Sequence, residues 1–392
     1  MARVCVIAFT DFFKDARPKR EAESLASRGD HVDFICSREP NTVPIKYANG
    51  VRLFQLKGSR YRGSNALIYI MSYLWFFLRA SVLVTVLHLR NWYHVVHVHT
   101  MPDFLVFAAL FPKLLGAKVL LDVHDLMPEL YISKFGVSAG HVVVRLLRLV
   151  ERASICFADR AIAVSQPHLE RLVEHGNPRS KFVILLNLPD PRIFRITDRP
   201  SHLSDGCFRL VFHGTIAPRH GLDVALQAVA LAKTEIPNLR FEILGEGDDK
   251  SRLEQMVRDL GLERIVRFSK GQIAIEEVPA AIGGADIGIV PMVADSFTEV
   301  ALPVKLLEYV SLGIPVVTSR TRATAYYFSE DMVMYFAPGD VQKLYERLVY
   351  LYSNPDKRRE LVQNANRFLE KFNWGLQKQV LFELVDSLAS CG

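Results

Sequence analysis

The stretch EVALPVKLLEYVSLGIPVV, residues 299–317, places charged side chains inside an otherwise apolar run. Its leucines and valines recur at helical spacing, which predicts an amphipathic helix that Gly313 ends before a buried strand. In one interpretation, Lys305 and Glu308 form a solvated pair on the outer face of that helix. In the other, Pro303 begins the helix, Lys305 and the free backbone N–H groups bind an anion, and Glu308 binds two sugar hydroxyls.

Two glycine-containing turns also follow predicted strands in this half of the chain. In HGTIAPRHGLD, Gly214 follows a strand and Arg219 precedes a helix, and in LGEGDDKSRLE, Gly245 and Gly247 stand at the next strand end. Each turn by itself has an ordinary explanation as turn chemistry with solvated charges. Because parallel strands end on one side of a sheet, the three stretches are expected to converge there. Their backbone N–H groups, two cations and one carboxylate predict a nucleoside-diphosphate site. No Asp-x-Asp is placed to hold a divalent ion, so no metal and no cofactor is expected.

Short apolar runs alternate with helical patterns along the whole chain, which indicates parallel sheets wrapped by helices. Strands are predicted at 4–9, 32–36, 95–99, 118–124, 161–165, 208–214, 239–247, 265–271, 285–291 and 314–319. Helices are predicted at 17–30, 66–90 and 142–158, and from about residue 340 onward.

A polar, proline-rich stretch near residue 190 interrupts the alternation and is interpreted as a linker. With 392 residues the chain is long enough for two cores. We therefore predict an α/β protein of two doubly wound, Rossmann-like domains that face each other across a cleft. The first domain is predicted at 1–190 and the second, which contains the predicted nucleoside-diphosphate site, at 191–370. Residues 371–392 form a C-terminal helix that packs back on the first domain.

The net charge of +6 is unevenly distributed along the chain. Residues 1–190 contain 24 Lys and Arg against 16 Asp and Glu, and no acidic residue occurs between Pro40 and Pro102. This pattern predicts an anionic partner: a membrane surface, a polyphosphate or nucleic acid. Nucleic acid is the least favoured of the three because no nucleic-acid-binding motif is present. The five cysteines have no paired or metal-binding spacing, so we expect reduced, mostly buried thiols in a cytoplasmic protein.

The apolar segment 66–90 has three possible interpretations: a transmembrane helix, a wholly buried helix, or a helix on the sheet whose outer face touches lipid headgroups. Arg79 in its middle disfavours the transmembrane interpretation. The preceding loop contains Lys57, Arg60 and Arg62, which suit contact with anionic lipid. We favour the third interpretation and a peripheral location at the inner face of a membrane.

Several motifs together resemble the family 4 glycosyltransferases of the GT-B fold. The matching stretches are DARPKREAESLASRGDHVDFIC (15–36), VVHVHTMPD (95–103), LLDVHDLMPE (120–129), ADRAIAVS (158–165), NLPDPRIF (187–194), FHGTIAPRHGLD (212–223), LGEG (244–247), ADIGIVP (285–291) and LPVKLLEYVSLGIPVV (302–317). The last stretch is the most specific and matches a branch with an LPxKLxEY pattern. The first strand turn lacks G-x-G-x-x-G, which argues against a dinucleotide-dependent oxidoreductase.

The resemblance implies transfer of a sugar from a UDP- or GDP-sugar to an acceptor, with retention of the anomeric configuration. It implies that Glu308 binds the ribose, that Arg219 and Lys305 bind the diphosphate, and that His124 points toward the transferred sugar. Gly214, Gly245, Gly247, Pro303 and Val304 complete the implied donor site. Glu129 is a candidate for the acceptor side. The basic, acid-free stretch beside the apolar segment 66–90 favours a lipid-linked or membrane-presented glycan acceptor, as in assembly of a surface polysaccharide or glycoconjugate.

One departure from the family pattern is that Val300 occupies the place of the first glutamate of the E-x7-E motif. Glu299 lies one position away and would substitute only if its loop shifted. Two alternatives to the transferase stay open, and the missing glutamate supports the first of them. One is a catalytically silent scaffold that binds a nucleotide sugar at a membrane, and the other is a GT-B sugar-nucleotide epimerase, which would need paired carboxylates.

Overall fold

The computed structural model describes residues 1–38, 43–58, 66–195 and 206–390, which form two compact units. Unit 1 comprises residues 1–187 and 375–392, and unit 2 comprises residues 188–374. Each described unit consists of one mainly parallel sheet with helices packed on it. The predicted α/β class with two parallel-sheet units is therefore confirmed.

Within its described residues, unit 1 has an eight-stranded sheet in the order β3-β4-β2-β1-β5-β6-β7-β8. The strands are β1 (Arg3–Asp11), β2 (His31–Arg38), β3 (Tyr47–Ala48), β4 (Val51–Lys57), β5 (Val95–His99), β6 (Lys118–Val123), β7 (Arg160–Ala163) and β8 (Phe182–Ile184). Only the pairing of β3 with β4 is antiparallel among these strands. The register of β5 and β6 pairs His99 with Asp122, which brings two polar side chains together at the carboxyl ends of the strands.

The helices of unit 1 are α1 (Ala16–Ser27), α2 (Ala66–Asn91), α3 (Leu110–Leu114), α4 (Met127–Phe135), α5 (Val142–Phe157) and α6 (Gln166–Glu174). A 3-10 helix, Asp103–Ala109, precedes α3. Helix α2 contains neither glycine nor proline, and its inner face packs on β1 through Tyr73 and Phe76, whose rings contact Phe9. Burial of such aromatic side chains makes α2 an integral part of the unit 1 core.

Within its described residues, unit 2 has a six-stranded parallel sheet in the order β11-β10-β9-β12-β13-β14. The strands are β9 (Phe208–His213), β10 (Leu239–Leu244), β11 (Val266–Phe268), β12 (Ile287–Val290), β13 (Val316–Ser319) and β14 (Met334–Phe336). The helices are α7 (Leu222–Ala232), α8 (Lys250–Asp259), α9 (Val278–Ile282), α10 (Val304–Ser311), α11 (Arg322–Tyr327), α12 (Val341–Ser353) and α13 (Pro355–Lys371). Strand residues such as Phe212 and Phe241 are fully buried in its core. Truncation of one such phenylalanine to alanine typically costs about 3–5 kcal/mol.

The last helix, α14 (Trp374–Ser390), follows unit 2 in sequence but almost all of it belongs to unit 1. Arg28 holds it there through an ion pair with Asp386 at 2.9 Å and a stacking contact with Phe382 at 4.5 Å. The Leu186 N–H also donates to the Gln377 side chain at 3.0 Å. Unit 1 is therefore closed by two stretches that are far apart in the sequence.

All ten predicted strands occur in the structure, with ends displaced by a few residues. Strands β3, β4, β8 and β14 were not predicted. Strands β3, β8 and β14 are edge strands of two or three residues, and polar residues interrupt the apolar residues of β4, so none of the four has a long apolar run. The expectation of mostly buried thiols holds for Cys5 and Cys36 but is wrong for Cys156, which is exposed on α5. Its position on the outer face of a surface helix explains the difference. Cys391 and part of the predicted linker, residues 196–205, lie outside the described residues.

Candidate functional site

A buried ammonium group stands at the start of α10. Lys305 is the second residue of this helix, which Pro303 precedes as its N-cap. The Lys305 Nζ atom is buried, has no hydrogen-bond partner among the described residues, and lies 3.6 Å from the centre of the Phe212 ring. Burial lowers its pKa to about 7, with the Arg219 charge adding to this effect and Glu308 opposing it. An unpartnered buried cation beside free helix N–H groups is suited to an anion, so the interpretation as a solvated pair is wrong for Lys305.

The surface next to this ammonium group is formed by the turn after β9. Gly214 and Thr215 are exposed, and a Cβ atom at Gly214 would lie 3.5 Å from Lys305 Nζ. Gly214 has φ +109°, a backbone conformation that favours glycine. Its N–H donates to Leu244 O at 2.9 Å, so this group is already used within unit 2. What Gly214 therefore provides is close access to Lys305 rather than a free backbone donor.

Arg219 brings a second cation to the same place. It lies in a short 3-10 turn after β9, its Nε atom is buried without a partner among the described residues, and its guanidinium lies 5.9 Å from the Phe297 ring. The neighbouring His220 donates from Nδ1 to Thr215 O at 2.6 Å. Burial and the charges of Lys305 and Arg219 lower the pKa of His220 to about 2. Two basic side chains and a neutral imidazole therefore lie close together at this turn.

Gly245 and Gly247 are explained by the packing of two loops of unit 2. A Cβ atom at Gly245 would lie 1.9 Å from Gly214 O, and one at Gly247 would lie 1.9 Å from Ile216 O. Only glycine permits this approach of backbone to backbone. The two loops are also joined by hydrogen bonds from Ile216 N to Glu246 O and from Asp249 N to Ile216 O. These glycines hold the turn at Gly214 in place, whatever else they contact.

Glu308 lies one turn beyond Lys305 and is buried, with only 9% of its side chain exposed. Its Oε2 atom accepts a 2.5 Å hydrogen bond from His213 Nε2, because a carboxylate can only accept. The other ring nitrogen of His213 contacts the Tyr309 hydroxyl at 3.0 Å, and the His213 N–H donates to that hydroxyl at 3.2 Å. The contacts of its two ring nitrogens, with Glu308 and with Tyr309, therefore fix the orientation of the His213 imidazole. The imidazole in turn orients the Glu308 carboxylate. No hydrogen bond to the Oε1 oxygen is found within the described part of the chain, so this oxygen can accept from a ligand.

His213 was not among the predicted site residues, although it ends a predicted strand directly before Gly214. Its position at the carboxyl end of β9 was the available signal. Gly288 was missed as well: a Cβ atom there would lie 2.5 Å from the Tyr309 ring. The glycine in β12 thus makes room for the ring that fixes His213.

Glu299 does not take the place of the missing first glutamate in this structure. Its Oε2 atom accepts from Arg322 N at 2.9 Å, and its carbonyl oxygen accepts from Ala323 N at 2.9 Å. These contacts bind Glu299 to the N-terminus of α11, where a negative charge is favourable. Val300, which stands at the motif position, is buried.

In unit 1, the predicted residue His124 directly follows β6 at the carboxyl end of the sheet. Its Nε2 atom lies 2.9 Å from His99 Nδ1 and 3.5 Å from Asp122 Oδ2, and its N–H donates to Thr100 Oγ1 at 2.9 Å. Its side chain retains 18% exposure. Burial lowers the pKa of His124, but the Asp122 carboxylate outweighs burial and the net shift is upward. These contacts hold the side chain in one orientation.

The groups behind His124 include a set that could hold a metal by ligand type. One ligand atom from each of Glu21, His97, His99 and Asp122 lies within 4.8 Å of the others. However, Arg17 donates to both oxygens of Asp122 at 2.9 and 3.0 Å and lies 3.2 Å from Glu21. Arg17 therefore already forms ion pairs with both carboxylates of this set.

Glu129, predicted to line the acceptor side, is instead completely buried in unit 1. Its Oε1 atom lies 2.9 Å from His175 Nε2, and His175 Nδ1 lies 2.9 Å from Glu151. Burial opposes protonation of His175, but the hydrogen bonds to the two glutamates raise its pKa to about 9. The carboxylate of Glu129 therefore holds α4 to neighbouring elements and does not face solvent.

The predicted membrane side is only partly within the described residues. Lys57 is exposed at the end of β4, and its carbonyl oxygen accepts from Arg79 of α2 at 2.8 Å, whereas Arg60 and Arg62 lie outside the described part of the chain. By length and composition alone, one helical segment in the described residues, Ile70–Asn91, could cross a membrane. Within the most apolar 18 residues of this segment, 28% is buried inside the protein.

Comparison with known families assigns both units. Residues 16–187 match the family described as glycosyl transferase 4-like domain, and residues 194–368 match glycosyl transferases group 1. These two matches span most of the chain, and the chain belongs to the family 4 glycosyltransferases. The fold is accordingly GT-B.

Individual proteins resemble the chain more distantly. Chitobiosyldiphosphodolichol beta-mannosyltransferase of Debaryomyces hansenii is 27% identical over 52% of this chain and 47% of its own length. The amylovoran biosynthesis glycosyltransferase AmsK of Erwinia amylovora is 26% identical over 58% of this chain and 56% of its own length. The matched segments therefore cover about half the length of these relatives. The crystal structure of Anabaena HepE in complex with UDP-glucose superposes with a TM-score of 0.73, 15% identity, and coverage of 99% of this chain and 100% of HepE.

Proposed function

We propose that this protein transfers a sugar from a UDP- or GDP-sugar, with retention of configuration, to a lipid-linked or membrane-presented glycan acceptor. The observation that carries the donor part is the buried, unpartnered Lys305 ammonium group beneath the exposed turn at Gly214, with Arg219 beside it. A diphosphate neutralises two cations there without a metal. Glu308, oriented by His213, accepts the ribose hydroxyls.

The role of His124 in this proposal is to donate a hydrogen bond to the transferred sugar or to the leaving oxygen as charge develops. Its oriented imidazole and the upward shift of its pKa by Asp122 support this role. The departing diphosphate is proposed to deprotonate the acceptor, so no protein nucleophile is needed. Support for the donor class comes from HepE, whose structure contains UDP-glucose.

Support for the acceptor class comes from the relatives and from unit 1. One relative is named for a diphosphodolichol-linked substrate and another for biosynthesis of amylovoran. Unit 1 carries an exposed apolar helix in a stretch without acidic residues, between Pro40 and Pro102. These features favour assembly of a surface polysaccharide or glycoconjugate by a protein peripheral to the inner face of a membrane.

The first experiment measures binding of UDP, GDP and a panel of their sugars by thermal shift and isothermal titration calorimetry. A ligand at 100 times its Kd adds about 2.7 kcal/mol of stability. Hydrolysis or transfer of the tightest-binding donor is then followed by release of the nucleoside diphosphate. We expect activity in the wild type and its loss in Glu308→Ala and Arg219→Ala, with Glu360→Ala, an exposed carboxylate on α13, as the matched control.

A second candidate, the catalytically silent scaffold, is favoured by one observation. Val300 has no carboxylate, and the Glu299 carboxylate is bonded to the start of α11, so the first glutamate of the motif has no substitute in this structure. Nucleotide-sugar binding of normal strength without hydrolysis or transfer, across the whole panel, would establish the scaffold and overturn the transferase.

A further inference from the structure

Unit 1 exposes a broad apolar surface that extends well beyond α2. On α2 the exposed side chains recur at three- and four-residue spacing, and the most exposed are 56–67% accessible: Met71, Trp75, Leu78 and Val82. On α3, Phe111 and Leu114 are exposed, and on α5, Val142, Leu146 and Leu149 form a further stripe. Single exposed apolar residues are normal on a protein surface, but aligned stripes on three helices indicate an interaction surface.

These three helices lie in one layer of unit 1. Helix α2 contacts both α3 and the 3-10 helix Asp103–Ala109, and that 3-10 helix contacts α5. Because these helices contact one another directly or through the 3-10 helix, we treat their exposed stripes as parts of one surface. We call this surface the apolar face and define it by the exposed apolar residues of α2, α3 and α5.

The charges around the apolar face have one sign. The acidic side chains of α2, the 3-10 helix, α3, α4 and α5 are Asp103, Glu129 and Glu151, and all three are buried. Every exposed charge on these helices is basic, namely Arg90 on α2, Lys134 on α4, and Arg145 and Arg152 on α5. An apolar surface with an exclusively cationic rim fits the headgroup and acyl boundary of an anionic bilayer. A second copy of the same face would instead bring like charges together.

A helix that crossed the membrane would have to leave this layer. The inner face of α2 buries Tyr73, Phe76, Ala80, Val84 and Leu87 in unit 1. Transfer of α2 into a bilayer would expose the residues of the sheet that these side chains cover. The geometry favours a helix that stays on the sheet and contacts lipid only through its outer stripe.

We propose that the apolar face, comprising α2, α3 and α5 together, docks unit 1 in the plane of an anionic membrane. This deepens the proposed function by naming the surface, and it depends on that function only for the lipid character of the acceptor. The long segment 66–90 is then one of three contact helices rather than an independent anchor.

The experiment measures partition of the full-length protein onto phosphatidylcholine vesicles with and without about one third phosphatidylglycerol. Three single variants test the helices separately: Leu78→Asp on α2, Leu114→Asp on α3 and Leu149→Asp on α5. The control is Leu231→Asp, an exposed leucine on α7 of unit 2. We expect wild-type binding to anionic vesicles that high salt weakens, a loss of about tenfold or more in each of the three variants, and no loss in the control.

A variant with both Arg145→Glu and Arg152→Glu is expected to lose binding to anionic vesicles selectively. Circular dichroism and the thermal midpoint check that each variant is folded. Vesicle binding lowered by Leu78→Asp alone would overturn the three-helix surface. Resistance of the wild type to alkaline carbonate extraction would also overturn it, because this would show a spanning helix. A dimer that the same variants dissociate, without vesicle binding, would overturn it as well. Failure to bind any nucleotide would defeat the proposed function but leave this inference standing.

Discussion

The His213–Glu308 contact allows a test of whether His213 positions the Glu308 carboxylate for ligand binding. We consider His213→Phe, which keeps a ring to pack edge-on against Tyr309, where the ring centres now lie 5.0 Å apart. The change removes the 2.5 Å hydrogen bond to Glu308 and leaves that buried carboxylate without its partner. If Glu308 binds ribose, it then does so from a less defined orientation.

The magnitude follows from the type of contact. A hydrogen bond to a charged group contributes about 1.5–3 kcal/mol, and an unpaired buried charge adds a penalty of similar size. We expect unit 2 to lose about 2–3 kcal/mol of stability, which for a domain of this size lowers Tm by roughly 4–12 °C. We expect the Kd for the nucleoside diphosphate to rise about tenfold, because part of the ribose contact is lost, and Glu308→Ala to raise it about 30-fold or more.

The assay is a double-mutant cycle with isothermal titration calorimetry, using UDP and GDP and their 2′,3′-dideoxy analogues. Both single variants should weaken binding of the ribonucleotide and leave the dideoxy analogue unchanged. The double variant should bind no more weakly than Glu308→Ala, because His213 acts only through Glu308. Glu360→Ala serves as the control for removal of a carboxylate.

Two results would refute this reasoning, and they differ in meaning. If His213→Phe weakened the ribonucleotide and the dideoxy analogue equally, or added its full effect to Glu308→Ala, then His213 would not act by orienting the carboxylate. If Glu308→Ala weakened binding of the ribonucleotide no more than binding of its dideoxy analogue, Glu308 would not be the ribose ligand.

Three further predictions concern pH and packing. Because Lys305 has a pKa of about 7 and a bound diphosphate favours its charged form, UDP binding should take up a proton and weaken between pH 7 and 9, by at most about tenfold per unit. Calorimetry in buffers of different ionisation enthalpy measures this uptake, and a pH slope that survives in Lys305→Met would contradict it. Gly247→Ala should lower the free energy of unfolding by more than about 3 kcal/mol or prevent folding of unit 2, because its Cβ would lie 1.9 Å from a backbone oxygen. Gly271→Ala is the control, because no atom lies within 4 Å of its Cβ, and it should be nearly neutral. A urea titration measures both changes. His175 has its pKa raised to about 9, so the stability that its two glutamate partners provide is fully present below the unfolded pKa near 6.5 and disappears as the pH rises through 9. His175→Asn should therefore lower the free energy of unfolding by about 3 kcal/mol at pH 6 and much less at pH 10, and an equal loss at both values would exclude this account.

The order of elements and the donor-side motif could be predicted from the sequence because their signals are local. Apolar runs alternating with helical periodicity indicate parallel sheets, and Pro303 and Gly313 mark the start and end of one helix within eleven residues. The same local reasoning located Gly214, Arg219 and Glu308 at strand ends or helix starts, where ligands bind in such sheets. A strand of two or three residues, such as β3 or β8, carries too little periodicity to be recognised in this way.

Only the tertiary structure decided which of these side chains are buried and what each one contacts. His213 meets Glu308 across 95 residues of sequence, and Arg17 meets Asp122 across 105. Glu129 is buried against His175, and Glu299 is bonded to the start of α11 rather than left available at its motif position. The physical reason is that burial and hydrogen bonding depend on distance in space, and sequence spacing determines that distance only within a single helix or strand.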